Sequence, residues 1–201
     1  MLNPNTERPQ PQLTLASQSR ARRQLLHDAG INVVIRPTGI DEPDLSQFSD
    51  LEAGLAHVAE LKARAAWRSG VTGWILAADT VTRVNGKLLG KPEDRTDAER
   101  MLRLLSGSTH DVLTGWRLLD TATGITTGSV ECTKLTMRPW TEAEILAYLD
   151  GGEWEGRCGA YGLEDPDPFV ICTEGSHSNV VGLPMERIRV AWEMARRGRI
   201  S

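Results

Sequence analysis

Along this chain, short apolar runs alternate with stretches in which apolar residues recur every three or four positions, and the switches mark the elements. Residues 13–16, LTLA, predict a buried strand. Residues 19–29 predict a helix that Gly30 stops. Residues 31–35 predict a second strand, ended by Pro37, and residues 38–49 an acidic loop. Residues 51–68 predict a helix with Leu51, Leu55 and Val58 on one face. Residues 94–105 predict another, with Ala98, Met101, Leu102 and Leu105 on its apolar face and Gly107 at its end. Residues 112–119 and 125–137 flank DTATG and read as a long antiparallel pair. Thr141 caps a helix running through Leu149, with Glu144 three residues on as its capping-box partner. Residues 169–173 predict a last strand, and residues 184–196 a closing helix. Early alternation of strands and helices around a central hairpin predicts an α/β domain with a mixed sheet.

The stretch WILAADTVTRVNGKLLGKPED, residues 74–94, breaks this pattern with chemistry. An apolar strand ends on a carboxylate, Asp79, and Asn85-Gly86 then folds the chain back. Asn-Gly suits a hairpin turn because both central residues take positive φ. That register sets Thr80 opposite Lys91 and Asp79 opposite Pro92. Strict pleating would send Asp79 and Lys91 to opposite faces, but Gly90 and Pro92 interrupt the ladder and let the lysine turn toward the acid. The reading is a functional site; the plainer alternative is a structural ion pair beside a helix cap.

Composition narrows the class. The chain has 201 residues, 40% of them hydrophobic and 25% charged, enough for the core of one domain. A net charge of -4 argues against a general nucleic-acid binder. No apolar run approaches the ~20 residues of a membrane span. Residues 1–12 are polar and proline-rich and read as a flexible arm ahead of a domain over residues 13–201. Cys132, Cys158 and Cys172 are odd in number and widely spaced, which fits a reducing cytoplasm better than a disulfide framework.

Two further features suggest an anion. Ser17 and Ser19 precede a helix whose first turns carry Arg20, Arg22 and Arg23. Cations at a helix N-terminus oppose its dipole, and a bound phosphate reverses the sign. The alternative is an ordinary Ser19 cap with arginines on a solvated face. Lys62 continues the Leu51, Leu55, Val58 stripe and so aims at a cleft or snorkels at the stripe's edge. Asp41-Glu42 places carboxylates in the acidic loop.

Taken in order, LASQSRARRQLLHDAGI, IRPTGIDE, AELKARA, AADTVTRVNGKLLGKPED, LSGSTHDVLTG, GAYGLE and EGSHSNVVGLPM resemble the motifs of the Maf family. These are nucleoside triphosphate pyrophosphatases once described as septum-formation inhibitors. The resemblance covers residues 13–189 and implies a two-lobed, ITPase-like single domain. A long mixed sheet is flanked by helices, with the active site in the cleft. It also implies a cytoplasmic homodimer and a divalent cation, Mg²⁺ or Mn²⁺. Residue by residue, it makes Asp79 the catalytic acid that orients or deprotonates water, and Lys91 and Glu42 its catalytic companions. Asp79 and Glu42 hold the metal, while Ser17, Ser19, Arg22 and Lys62 hold phosphates. The chain departs from the family where Arg20 replaces a usual proline and Ala21 a usual arginine, leaving Arg20 or Arg23 to supply the missing charge.

Base selection falls by the same resemblance to Thr80 and Glu164, and here the signals diverge. Thr after the acid goes with dTTP and UTP in the family, whereas Glu at the later position goes with 7-methyl-GTP. An ionised Glu only accepts hydrogen bonds, so it suits guanine N–H groups or a cytosine amino group and repels the two carbonyls of thymine. Asp165 and Asp167 replace common glycines beside it, and His177 replaces a common tyrosine in a segment expected to support the cleft. The expected function is cleavage between the α and β phosphates. The rival is a nucleotide-binding regulator of cell division with little turnover. A third reading, nucleic-acid binding through the arginines, sits poorly with the acidic total.

Overall fold

The structure is a computed structural model and describes residues 11–163 and 169–199. In order along the chain it contains β1 (Leu13–Leu15), α1 (Arg20–Asp28), β2 (Val33–Ile35), α2 (Leu51–Arg68), β3 (Trp74–Val84), β4 (Lys87–Leu89) and α3 (Arg95–Leu105). Then come β5 (Thr109–Asp120), β6 (Thr126–Thr127), β7 (Val130–Met137), α4 (Glu142–Gly151), β8 (Val170–Glu174), α5 (His177–Val181) and α6 (Met185–Arg196). Among the described residues these strands form one mixed sheet in the order β2-β1-β3-β5-β7-β8, with β4 on β3 and β6 on β5. β1 runs parallel to β2 and β3, and the other pairings are antiparallel. This is the expected α/β single domain, a mixed sheet flanked by helices.

The core gathers mainly into two clusters. One packs Leu13, Leu15, Leu26, Leu76 and Trp116 against α6; the other packs Val84, Leu102, Leu105, Leu135 and Tyr161 around α3 and α4. Smaller clusters seat α2 on the sheet through Ala63, Ala66 and Leu55. The Thr141–Glu144 capping box is present at the start of α4.

The Asn85-Gly86 hairpin forms in the expected register, with Thr82 opposite Leu89 and Val84 opposite Lys87. Both turn residues have positive φ, 49° and 74°. The ladder stops at Leu89, so Asp79 and Thr80 never pair with Pro92 and Lys91. They face Gly115 and Thr114 of β5 instead. β1 and β4 lie along the same edge of β3, β1 against Trp74–Leu76 and β4 against Thr82–Val84. Between them, residues 77–81 have no strand partner on that side among the described residues. The cleft opens at this gap.

Two local departures from expectation have clear causes. The run 125–137 is two strands, because the chain crowds β5 at Gly128, where an added Cβ would collide with the Trp116 carbonyl. Trp116 instead bonds Ser129 through both its backbone N–H and its indole Nε1, each at 3.0 Å. Residues 177–181, expected only as a supporting segment, form the short helix α5 capped by Ser176.

Gly115 sets the approach of α2. A Cβ there would sit 2.7 Å from the Leu55 carbonyl oxygen, inside the backbone of α2. Gly115→Ala therefore overpacks this crossing and lowers unfolding free energy by about 1–3 kcal/mol, read from urea midpoints. A second expectation concerns His110, which is 2% exposed. The Ser108 hydroxyl donates to the Leu105 carbonyl at 2.8 Å, so His110 Nδ1 donates to Ser108 Oγ and Nε2 accepts the Tyr161 hydroxyl at 2.8 Å. Burial pushes the His110 pKa down to about 4, with the Asp111 charge opposing. The unfolded chain then binds the extra proton between about pH 6.5 and pH 4. The stability this neutral histidine contributes is whole above the upper value. It is lost as pH falls, by roughly 3 kcal/mol. Urea midpoints should fall between about pH 7 and pH 5 in the wild type and fall less in His110→Gln.

Candidate active site

The gap in the β3 edge exposes side chains of both sheet faces to one cleft. Successive strand residues point to opposite faces. Asp79 shares its face with Ile75 and Ala77, under α2; Thr80 shares the other with Leu76 and Ala78, under α1 and α5. The cleft encloses about 620 Å³ and is walled by the start of α1, the loop at Pro37–Leu45, β3, and residues 156–163. That volume suits a small-molecule site. A larger groove, about 780 Å³, lies between β6–β7 and α6 and contains none of the candidate residues.

Lys62 is the centre of the acidic side. It is 8% exposed, and its ammonium lies 2.7 Å from Asp79 Oδ1 and 2.8 Å from Glu42 Oε2. The helical stripe of α2 brings it there. Leu55 packs its backbone against Gly115, and Lys62 follows two turns later on the same face, beneath Asp79. A buried ammonium needs paired charge around it, and two carboxylates supply it. Glu42 anchors the loop to the cleft through this contact. Lys91, expected as the partner of Asp79, stands exposed on the cleft wall; the lysine bonded to Asp79 is Lys62.

Arg22 is the centre of the other side. Its Nε donates to the Gly182 carbonyl at 2.9 Å, and Nη1 donates to the Ala78 carbonyl at 2.8 Å and to Ser17 Oγ at 3.3 Å. Nη2 donates to Thr80 Oγ1 at 3.0 Å. The Ala78 bond satisfies a backbone acceptor that a neighbouring strand would otherwise take. Burial lowers the Arg22 pKa, and the Asp79 carboxylate chiefly opposes that. Ser19 is the α1 cap, accepting the Arg22 backbone N–H at 3.2 Å, and Ser17 accepts the Ser19 N–H at 3.2 Å. Both serines line the cleft. Arg20 and Arg23 are exposed and do not line it, so neither stands in for the arginine missing at Ala21.

The structure therefore brings together Ser17, Ser19, Arg22, Glu42, Lys62, Asp79, Thr80 and Lys91. Glu164, expected to select the base, lies outside the described residues, as do Asp165 and Asp167. Sequence reasoning passed over Arg157, Cys158 and Tyr161, which also line the cleft. Burial pushes the Cys158 thiol up to about 11, and it donates to the Leu89 carbonyl at 3.2 Å, so it serves as a packed wall and not as a nucleophile. The signal for this wall was the glycine-rich GRCGAYG, whose Gly159 has φ 71° and abuts Thr82.

Could a divalent ion be held here? Among the described residues no three His, Cys, Asp or Glu side chains cluster. Asp79 and Glu42 nonetheless converge on a single cation, the Lys62 ammonium. Two carboxylates with substrate phosphates and water completing the shell are the usual protein share of a Mg²⁺ site. The donor set fits.

Comparison with known proteins gives the family. The family model described as "Maf-like protein" matches residues 12–194. A dTTP/UTP pyrophosphatase of Rhodopirellula baltica is 38% identical over 197 residues, covering 92% of this chain and 83% of the relative. One of Bdellovibrio bacteriovorus is 38% identical over 185 residues, covering 89% and 96%. One of Anaeromyxobacter dehalogenans is 42% identical over 179 residues, covering 87% and 89%. With the family model spanning most of its length and such relatives aligned nearly end to end, this chain belongs to the Maf-like family.

Proposed function

We propose that this protein hydrolyses nucleoside triphosphates to nucleoside monophosphate and pyrophosphate. The observation that carries the reading is the Asp79–Lys62–Glu42 cluster, set in a cleft opposite Arg22. Phosphoryl transfer needs little covalent help from a protein and much positioning and charge stabilisation. Arg22, Lys62 and Lys91 counter the triphosphate charge. Asp79 meets Lys62 through Oδ1, and Oδ2 orients the attacking water and accepts its proton. The water oxygen bonds to the α-phosphorus as the α–β bridging bond breaks, and pyrophosphate leaves with the electron pair. The proton then passes from Asp79 to solvent.

A divalent cation belongs to this proposal, Mg²⁺ or Mn²⁺, with Asp79 and Glu42 as its protein ligands. When bound, it would neutralise phosphate charge that Lys62 alone cannot, since one ammonium already faces two carboxylates. The proposal also includes a cytoplasmic homodimer. The exposed apolar Ile125, Val190 and Met194 along the groove beside α6 support a covered surface. No helix among the described residues is long and apolar enough to cross a membrane.

For the base, the relatives are named for dTTP and UTP. We propose that Glu164 weakens this preference here, because a carboxylate repels the two carbonyls of thymine or uracil. The rival function, a nucleotide-binding regulator of cell division with little turnover, draws on one observation. The Arg22 guanidinium already directs four of its five N–H donors to protein acceptors.

Product analysis decides. Purified protein with Mg²⁺ or Mn²⁺ should release pyrophosphate and monophosphate, not orthophosphate, from a panel of dTTP, UTP, CTP and GTP. Asp79→Asn should keep nucleotide binding and lose about 10²–10⁴-fold in kcat. Release of pyrophosphate from none of the panel would sink the enzyme reading and leave the regulator. A clear dTTP optimum that Glu164→Gln leaves unchanged would refute the base proposal alone.

A further inference from the structure

We infer that Thr114 and Asn179 are positioning residues for Arg22, acting through Thr80, and that Thr80 aims this arginine instead of reading the base. This rests on the phosphate-binding role proposed for Arg22. The argument is a chain of donors with only one solution. The backbone carbonyl of Asn179 can only accept, and it lies 3.0 Å from Thr114 Oγ1. Thr114 therefore directs its single hydroxyl proton there. Thr80 Oγ1 lies 2.9 Å from Thr114 Oγ1, so Thr80 must be the donor of that bond. Its own proton is now committed, and its oxygen takes the Arg22 Nη2 N–H at 3.0 Å. Thr80 is left with no donor for any ligand in the cleft. A residue that selected thymine or uracil by donating to a carbonyl would need one.

The far end of the chain is anchored, not loose. Asn179 is 0% exposed, and its amide nitrogen donates to the Val112 carbonyl and to Thr133 Oγ1, each at 3.0 Å. Flipping the amide would set two acceptors against each other at Val112, so its orientation is fixed. Thr133 in turn donates to the Ser176 carbonyl at 3.0 Å. The helix α5 thus holds Arg22 twice: through this relay, and directly through the Gly182 carbonyl at its end. Gly182 has φ 121°, and a Cβ there would sit 3.1 Å from Arg22 Nε. Thr80 and Thr114 are also cross-strand partners in β3 and β5, so the sheet register fixes their spacing. What remains for an anion is one Nη2 N–H, and the relay sets where it stands.

The test compares wild type with Thr80→Val, Thr80→Ser, Thr114→Val and Thr114→Ser on dTTP, UTP, CTP and GTP. Each valine variant should lower kcat/KM about tenfold, the weight of one charge-assisted hydrogen bond. The factor should be the same for every base, and the serine variants should restore the rate. Thr80→Val/Thr114→Val should lose no more than the single variants, because both break one chain. A loss confined to thymine and uracil nucleotides would overturn the inference and make Thr80 a base reader. Unchanged kinetics in both valine variants would overturn it too. Should Thr114→Val not fold, the Thr80 pair decides by the same criteria. Calorimetric titration with inorganic pyrophosphate separates this inference from the proposed activity. The valine variants should bind it about tenfold more weakly whether or not the wild type turns nucleotides over. Equal binding would end the inference while leaving the activity standing.

Discussion

A strand in the middle of a sheet ordinarily gives up both edges to neighbours, and β3 does so along β5 for ten consecutive pairs. On its other edge, two different strands take its two ends and leave residues 77–81 between them. Backbone groups in such a gap still need partners. Arg22 answers for the Ala78 carbonyl, and that bond ties α1 to the sheet. The gap also removes the wall that would separate the two faces of β3. Asp79 and Thr80 are adjacent and point oppositely, yet both line one cleft. The site follows from a strand-pairing defect that the topology imposes.

The two sides of the cleft carry different burdens. On the α2 side, Lys62 sits between a largely buried carboxylate, Asp79, and a half-exposed one, Glu42. Separating such a group from its partners is costly, so the ammonium and the Asp79 carboxylate fix one another's position. Glu42 is more exposed, and it sits on a loop without regular structure, so it is the member of the cluster free to exchange partners. On the α5 side the polar groups are neutral apart from Arg22, and each hydroxyl has a determined donor and acceptor role. Satisfied hydroxyl chains of this kind hold their members in place, although the buried Oδ1 of Asn179 beside this one has no partner among the described residues. The arrangement pairs a charged side, whose outer member is half-exposed, with a side held by directed hydrogen bonds.

Much of this was legible in the sequence because it is local. Asn85-Gly86 fixed the hairpin register, and the stripe through Leu51, Leu55 and Val58 put Lys62 at the sheet. What stayed hidden depends on elements far apart in the chain. That Lys62 and not Lys91 meets Asp79 follows from α2 crossing at Gly115, a contact between backbones with no pattern of its own. The run 125–137 alternates as one strand would, and only the Trp116 carbonyl reveals why it breaks at Gly128. The helix α5 is too short for a periodic signal, and its Asn179 matters through hydrogen bonds to β5 and β7. By pattern alone the arginines at the head of α1 look alike; the family resemblance picked out Arg22, and it is the one the fold draws into the cleft while Arg20 and Arg23 stay exposed.

The same contrast between local and distant contacts separates the two walls of the cleft. Residues 156–163 reach the cleft from the α3–α4 core, with Tyr161 pinned by His110. They meet β3 through Cys158 beside Thr82, and the Gly159 N–H donates to the Gly90 carbonyl just past β4. A substitution on that wall therefore bears first on the hairpin end of β3, two residues from Thr80. A substitution in the relay bears first on Arg22, because Thr80 contacts it and Thr114 and Asn179 hold Thr80. Both walls rest on β3, one at Thr80 and the other at Thr82, so this strand and not either wall alone sets how they face each other across the cleft.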